Sequence, residues 1–249
     1  MIHEIAPDVY RISEFVPEIN LEFSHFLVRD EEPLLFHAGL RKMFPVLFEE
    51  VGKLINPLRL RHVSFSHFEA DECGALNEWL TLAPEAKAAC GLLGAMVSVS
   101  DFARRPPRVL GPGEWLETGR YKFRFIHTPH VPHGWDAGLL FEETQQTLFC
   151  SDLFHQWGRR APVTEASLGE AARDALAFNE SGPFAQYVPY TRHTGNVLKG
   201  LAGLEPRTLA VMHGSSFRGD CASELLQLDE VFREVLSEDH IEKASSVTC

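Results

Sequence analysis

Between positions 67 and 72 the chain reads His67-Phe68-Glu69-Ala70-Asp71-Glu72, one imidazole and three carboxylates in a single short segment. Carboxylates this close raise one another's pKa and oppose folding unless a cation neutralises them. In an extended segment positions 67, 69 and 71 face one side, while Glu72 takes a separate direction. The plainer alternative is a solvated acidic loop in which Asp71 or Glu72 caps the next helix. A second constellation is His127-Thr128-Pro129-His130-Val131-Pro132-His133-Gly134-Trp135-Asp136. Its prolines exclude a helix. Loop histidines stiffened in this way lose little entropy on binding a metal, although a His-rich surface turn would read the same. Asp152 and His213 each follow an apolar run, in Cys150-Ser151-Asp152 and Val211-Met212-His213-Gly214. Taken singly, each is an ordinary turn former. Together, four apolar segments end in metal-type ligands, which is how an α/β scaffold gathers a site from distant residues.

The surrounding pattern supplies the elements that must hold these residues. Residues 22–28 and 33–37 flank a charged turn and read as a hairpin. Residues 44–55 carry apolar side chains at helical spacing and end near Pro57. Residues 60–65 form a buried strand that enters the loop 66–74, and 75–82 a helix beyond it. Further strands are expected at 87–90, 108–110, 121–126, 139–141, 147–150 and 208–212, with Glu142 to Gln146 as a polar hairpin turn. Helices are expected at 168–178, 195–204 and 223–236. Strands with helices between and after them predict two packed sheets with helices outside, an α/β (α+β) sandwich. No linker or repeat divides the sequence, so residues 1–249 are read as one domain, with a frayed end at 247–249.

Composition narrows the partners. The formal net charge is -12, which offers no basic surplus for nucleic acid. No apolar run is long enough to span a bilayer, and the start lacks the features of a signal peptide. Cys73, Cys90, Cys150, Cys221 and Cys249 are odd in number and scattered. Free thiols in a reducing cytoplasm are expected, with Cys73 and Cys150 as small buried apolar groups.

The order His67-x-Glu69-x-Asp71-Glu72, His133, Asp152, His213 resembles the metallo-β-lactamase superfamily, and within it the di-iron branch of flavodiiron and oxygen-binding di-iron proteins. Hydrolytic members carry H-x-H-x-D-H at the first motif, whereas Glu69 stands where the di-iron branch has glutamate. The resemblance implies an αββα sandwich of two mixed sheets. It also implies that His67, Glu69 and His133 bind one metal, that Asp71 and His213 bind another, and that Asp152 bridges them. Glu72 departs from the histidine usual at its position, and it either ligates or leaves one metal an open position. His130 is the alternative to His133, or else a neighbour of the site. The oxygen-rich set suits iron or manganese better than zinc.

Two functions follow from the resemblance. The first is a di-iron protein that binds or reduces O2, or another diatomic such as NO, as a sensor or with an external reductase. The chain closes soon after His213, so no flavin domain is expected on it. The alternative is a binuclear hydrolase of an ester, lactone, thioester or phosphodiester. Among catalytic candidates, His130 and His155 come first, and Tyr187 and Tyr190 follow. Phe65, Phe68, Trp135, Phe154, Trp157 and Phe217 are candidates for a dry pocket or for plain core. A homodimer is a further expectation from the relatives.

Overall fold

The computed structural model describes residues 1–236, so the expected end at 247–249 and Cys249 lie outside the described residues. The chain opens with β1 (Ile2–Ala6), β2 (Val9–Val16), β3 (Leu21–Val28) and β4 (Leu34–Phe36), then α1 (Phe44–Gly52) and β5 (His62–Ser64). It continues through α2 (Ala70–Cys73), α3 (Leu76–Leu82), β6 (Lys87–Gly91), α4 (Leu92–Gly94), a π-helical stretch at Ala95–Val99, α5 (Ser100–Phe102) and β7 (Arg108–Leu110). The second half holds β8 (Trp115–Glu117), β9 (Lys122–His127), β10 (Gly138–Glu142), β11 (Thr147–Ser151), β12 (Val163–Thr164), α6 (Gly169–Glu180) and α7 (Thr194–Ala202). It ends with β13 (Thr208–Val211), β14 (Ser216–Arg218) and α8 (Cys221–Leu236).

These strands form two seven-stranded mixed sheets, ordered β1-β2-β3-β4-β5-β6-β7 and β12-β14-β13-β11-β10-β9-β8. The sandwich is visible in how the strands divide their side chains. In β3, Leu21, Phe23 and Leu27 face the cluster shared with α1 and α3, whereas Phe26 and Val28 face the layer between the sheets. In β11, Leu148 and Cys150 face α6, α7 and α8, whereas Phe149 joins the inter-sheet layer. Period-two alternation with both faces apolar is the mark of a strand covered on both sides. Phe149 anchors that middle layer, its ring 5.1 Å from Phe36 and 5.8 Å from Phe26. In α8, Cys221, Leu225, Leu228 and Phe232 recur at helical spacing and are buried.

The expected strands and long helices are present. β1, β2, β8, β12 and β14 were not anticipated, nor was the helical segment 92–102. The anticipated 66–74 loop contains α2. One α-helical turn there has a functional consequence: consecutive helical residues point about 100° apart, so Asp71 and Glu72 serve different faces.

Candidate metal centre

Four strands end at one rim of the sandwich, β5 from one sheet and β9, β11 and β13 from the other. β11 and β13 run parallel side by side, and a register shift between Phe149 and Ser151 interrupts their ladder. Ser151 has φ 51°, a left-handed conformation uncommon outside glycine. The bulge and this turn re-aim the chain so that Asp152 leaves the sheet toward the rim.

Asp152 stands between two groups of ligand atoms. One comprises His67, Glu69, His133 and Asp152, and the other Asp71, Asp152 and His213, with the ligand atoms of each group within 4.8 Å of one another. In the first, His133 Nε2 lies 2.9 Å from Asp152 Oδ2 and His67 Nε2 lies 2.9 Å from Glu69 Oε2. In the second, His213 Nε2 is 3.2 Å from Asp152 Oδ1 and 3.3 Å from Asp71 Oδ2. The two carboxylate oxygens of Asp152 therefore face different groups.

The imidazoles are oriented from behind. His213 Nδ1 is 2.9 Å from the Glu22 carbonyl, which leaves Nε2 for the rim. The buried Arg11 guanidinium pairs with Glu22 at 2.9 Å and donates to the Gly214 carbonyl at 2.9 Å, fixing the segment that carries His213. The Phe68 amide donates to Asp136 Oδ2 at 3.1 Å, tying the His67 loop to the His133 loop. Gly134 sits between them at φ 77°, where a Cβ would lie 3.2 Å from His67 Cβ.

Glu72 lies outside both groups. It is fully buried; its Oε2 accepts from the Ser66 amide at 2.8 Å, and its Oε1 accepts from the Ser151 hydroxyl. It stands 3.4 Å from His37 Nε2 and 3.8 Å from His67 Nδ1, on the far side of His67 from the rim. His130 is exposed, with φ 64° in a turn closed by its amide on the Gly134 carbonyl, and belongs to neither group. His155 lines the cavity beside the groups, its ring 5.0 Å from that of His213. Tyr187 donates to Glu69 Oε1 at 2.5 Å and packs on His133 with ring centroids 4.3 Å apart. Tyr190 instead reaches Asp229 on α8 at 3.3 Å, away from the rim. Phe154 and Trp157 line the cavity. Phe65 and Phe217 are buried in the core, whereas Phe68 and Trp135 are exposed. Cys73, Cys90, Cys150 and Cys221 are free and buried. Arg11, Glu22 and His37 carried no sequence signal of a site, because only strand pairing brings them behind it.

The electrostatics are those of a site built for cations. Burial disfavours a charged His67, but the Glu72, Glu69 and Asp152 carboxylates outweigh it and raise its pKa to about 10. His213 follows the same balance, burial against Asp152 and Asp71, and also rises to about 10. Burial opposes ionisation of Asp152, yet hydrogen bonds from His133 and His213 hold it well below the carboxylate range. Glu72 is pushed up by burial. Protons on imidazoles occupy positions where metals would supply the positive charge. Asp152 Oδ1 has His213 Nε2 3.2 Å away and no other polar partner, which leaves a lone pair available to an ion. Three imidazoles and three carboxylates in this geometry fit two metal ions.

Fold and rim together define a metallo-β-lactamase-type sandwich with a paired ligand set. Residues 21–214 match the profile described as ODP family beta lactamase, and the chain belongs to this family. It is 28% identical over 147 residues to a protein of Nostoc sp. described as diflavin flavoprotein A 3, a match covering 57% of this chain and 25% of that one. The chain thus spans about a quarter of the length of the curated relatives it matches first. Among solved structures, rubredoxin oxygen:oxidoreductase from Desulfovibrio gigas superposes with a TM-score of 0.77 at 21% identity, over 92% of this chain and 61% of that one. The metal-soaked flavodiiron core from Synechocystis sp. gives 0.76 at 19%, over 94% and 61%. The fold is therefore that of flavodiiron cores.

Proposed function

We propose that the chain holds two iron ions and uses them to bind or reduce O2, or a similar diatomic such as NO. In this reading His67, Glu69 and His133 hold one ion, Asp71 and His213 the other, and Asp152 bridges them. The observation that carries it is the placement of Asp152 Oδ1 and Oδ2 against separate groups, 3.2 Å from His213 and 2.9 Å from His133. The name of the Desulfovibrio gigas relative, an oxygen oxidoreductase, supports the same ligand. Two ferrous ions would supply electrons to the diatomic, and hard carboxylate ligands favour the oxidised state.

The chain's own residues supply the rest. Tyr187 holds Glu69 through Oε1, leaving Oε2 for the ion. Burial and Glu69 raise the Tyr187 pKa, so the phenol stays neutral and donates its proton. Glu72 orients His67 from behind and is not itself a ligand. His133, not His130, is the ligand from the histidine-rich loop. Sustained turnover needs electrons from a partner, and the exposed rings of Phe68 and Phe102, packed 5.2 Å apart beside the His67 loop, support a docking face there. Among the described residues no helix is long and apolar enough to cross a membrane, and the free buried thiols support a cytoplasmic setting.

The test is an anaerobic O2 titration of the reduced protein. Uptake of about one O2 per two irons with new near-ultraviolet absorbance is expected. Iron that neither consumes O2 nor changes its spectrum, or zinc-dependent ester hydrolysis in its place, would overturn the reading.

A further inference from the structure

Ser151 combines an unfavourable backbone with complete burial. It is inaccessible to solvent and holds φ 51°, a left-handed conformation that glycine adopts freely and serine does not. Strain kept beside a functional site points to a side chain that the site needs. Here that side chain is a single hydroxyl, and it donates to Oε1 of Glu72, which is fully buried as well.

The bond is part of a three-way junction. Glu72 Oε2 accepts from the Ser66 amide at 2.8 Å, so one carboxylate joins the residue before His67 to the residue before Asp152. Ser66 follows β5 in one sheet and Ser151 ends β11 in the other, so the tie crosses between the sheets. On its other side the Ser151 carbonyl accepts from the Met212 amide at 3.0 Å, and Met212 precedes His213. The hydroxyl and carbonyl of one residue therefore reach the segments that carry His67 and His213, which belong to different metal groups. Asp152, shared by both groups, is the next residue along the chain. Its carboxylate has to present two oxygens in two directions, a geometry that tolerates an error of only about 0.5 Å. Glycine at position 151 would satisfy the turn but leave the junction open.

We infer that Ser151 is a positioning residue for the bridging carboxylate: its hydroxyl, held by Glu72, fixes the turn from which Asp152 faces both metal positions. The inference rests on the paired-metal reading of Asp152, but not on which metal is bound or on its reaction with O2.

The test compares Ser151→Ala and Ser151→Gly with wild type in the full chain loaded with cobalt(II). Chelator competition reads the two dissociation constants, the visible spectrum reads the cobalt geometry, and thermal melts follow the metal-free forms. Both variants lack the hydroxyl, but alanine keeps the backbone penalty and glycine relieves it. Cobalt affinity should fall about tenfold or more at both positions in both variants, as for other groups that support metal ligands, with an altered visible spectrum. Metal-free Tm should separate the two, Ser151→Gly melting above Ser151→Ala. Similar losses of affinity beside different melting temperatures distinguish positioning from stability. Glu72→Gln keeps the tie, because its amide donates to the Ser151 oxygen, and so should move only the His67-containing position. Should Ser151→Ala lose its fold, Ser151→Gly carries the comparison with wild type. A folded variant that keeps wild-type cobalt affinity, or that loses affinity at one position only, overturns the inference. Wild-type protein that binds fewer than two cobalt ions overturns the paired-metal reading and this inference with it. Two cobalt ions, weakened as expected in the variants, beside iron that leaves O2 untouched would overturn the di-iron reading alone.

Discussion

Replacement of Asp152 by alanine should empty both metal positions at once. The side chain presents Oδ2 to the group of His67, Glu69 and His133 and Oδ1 to the group of Asp71 and His213. Its loss reduces four ligand residues to three on one side and three to two on the other. Loss of a supporting residue outside a metal's ligands typically costs 10–100-fold in affinity, so loss of a shared ligand should exceed about 100-fold at each position. The metal-free protein should suffer as well. His133 and His213 lose the buried carboxylate they face, and breaking a buried pair costs about 3–5 kcal/mol. Since the Asp152 side chain is 14% exposed, the lower end applies, near 3 kcal/mol. For a chain of this size that is roughly a 6–12 °C fall in Tm. Metal content by elemental analysis, paired with thermal melts of metal-free wild-type and variant protein, measures both effects. A folded Asp152→Ala variant that retains two metals per chain would refute the bridging geometry.

Other outcomes follow from the same geometry. Glu72→Gln should weaken the His67-containing position by about 10–100-fold and leave the Asp71–His213 position unchanged, read by competition with a metal chelator; complete loss of one metal would make Glu72 a ligand. His133→Ala should remove one metal while His130→Ala removes none, since His130 is an exposed turn residue; reversed metal contents would exchange their roles. Metal binding at pH 8 should release about two protons per chain, because His67 and His213 are held protonated until about pH 10; calorimetry in buffers of different ionisation enthalpy counts them. The metal-free protein should also show a matching pH profile. His67 and His213 are raised in the folded state, so their stabilisation is complete below the unfolded pKa of about 6.5 and is lost as pH rises toward 10. Asp152 is depressed, so its contribution is present above about pH 4 and lost on acidification. His25, His37 and His155 are lowered by burial to about 3, 4 and 3, so stability also falls as pH drops below about 6.5. Metal-free Tm should therefore be highest near pH 6–7, and a Tm that climbs from pH 7 to 10 would contradict the assigned balance.

Much of this architecture was legible because the strands carry both their periodicity and their punctuation. The hairpin of β10 and β11 was visible in Leu139–Phe141, Thr147–Cys150 and the polar turn between them. In the structure Glu142 closes that turn by accepting from the Thr144 and Gln145 amides. The clustering of His67, Glu69, Asp71, His133, Asp152 and His213 followed from ligands recurring at strand ends. What stayed hidden depends on pairing between distant segments. Arg11 and Glu22 meet only because β2 and β3 pair in antiparallel register. Short strands such as β12, at a sheet edge, and β14 beside it carry too few residues for a periodicity to show. Glu72 was expected either to ligate or to leave one metal an open position, and its course was hidden for want of backbone geometry: the turn of α2 separates its direction from that of Asp71 and sends it to Ser66 and Ser151. Tyr187 enters the site from a long connection after α6 whose course no local pattern predicts.

The most direct measurement is the metal content of protein purified without exposure to air. Two irons per chain are predicted, falling to near zero in Asp152→Ala. A single metal, or zinc at full occupancy with no iron in protein from its native host, would contradict a paired iron centre shared through one aspartate.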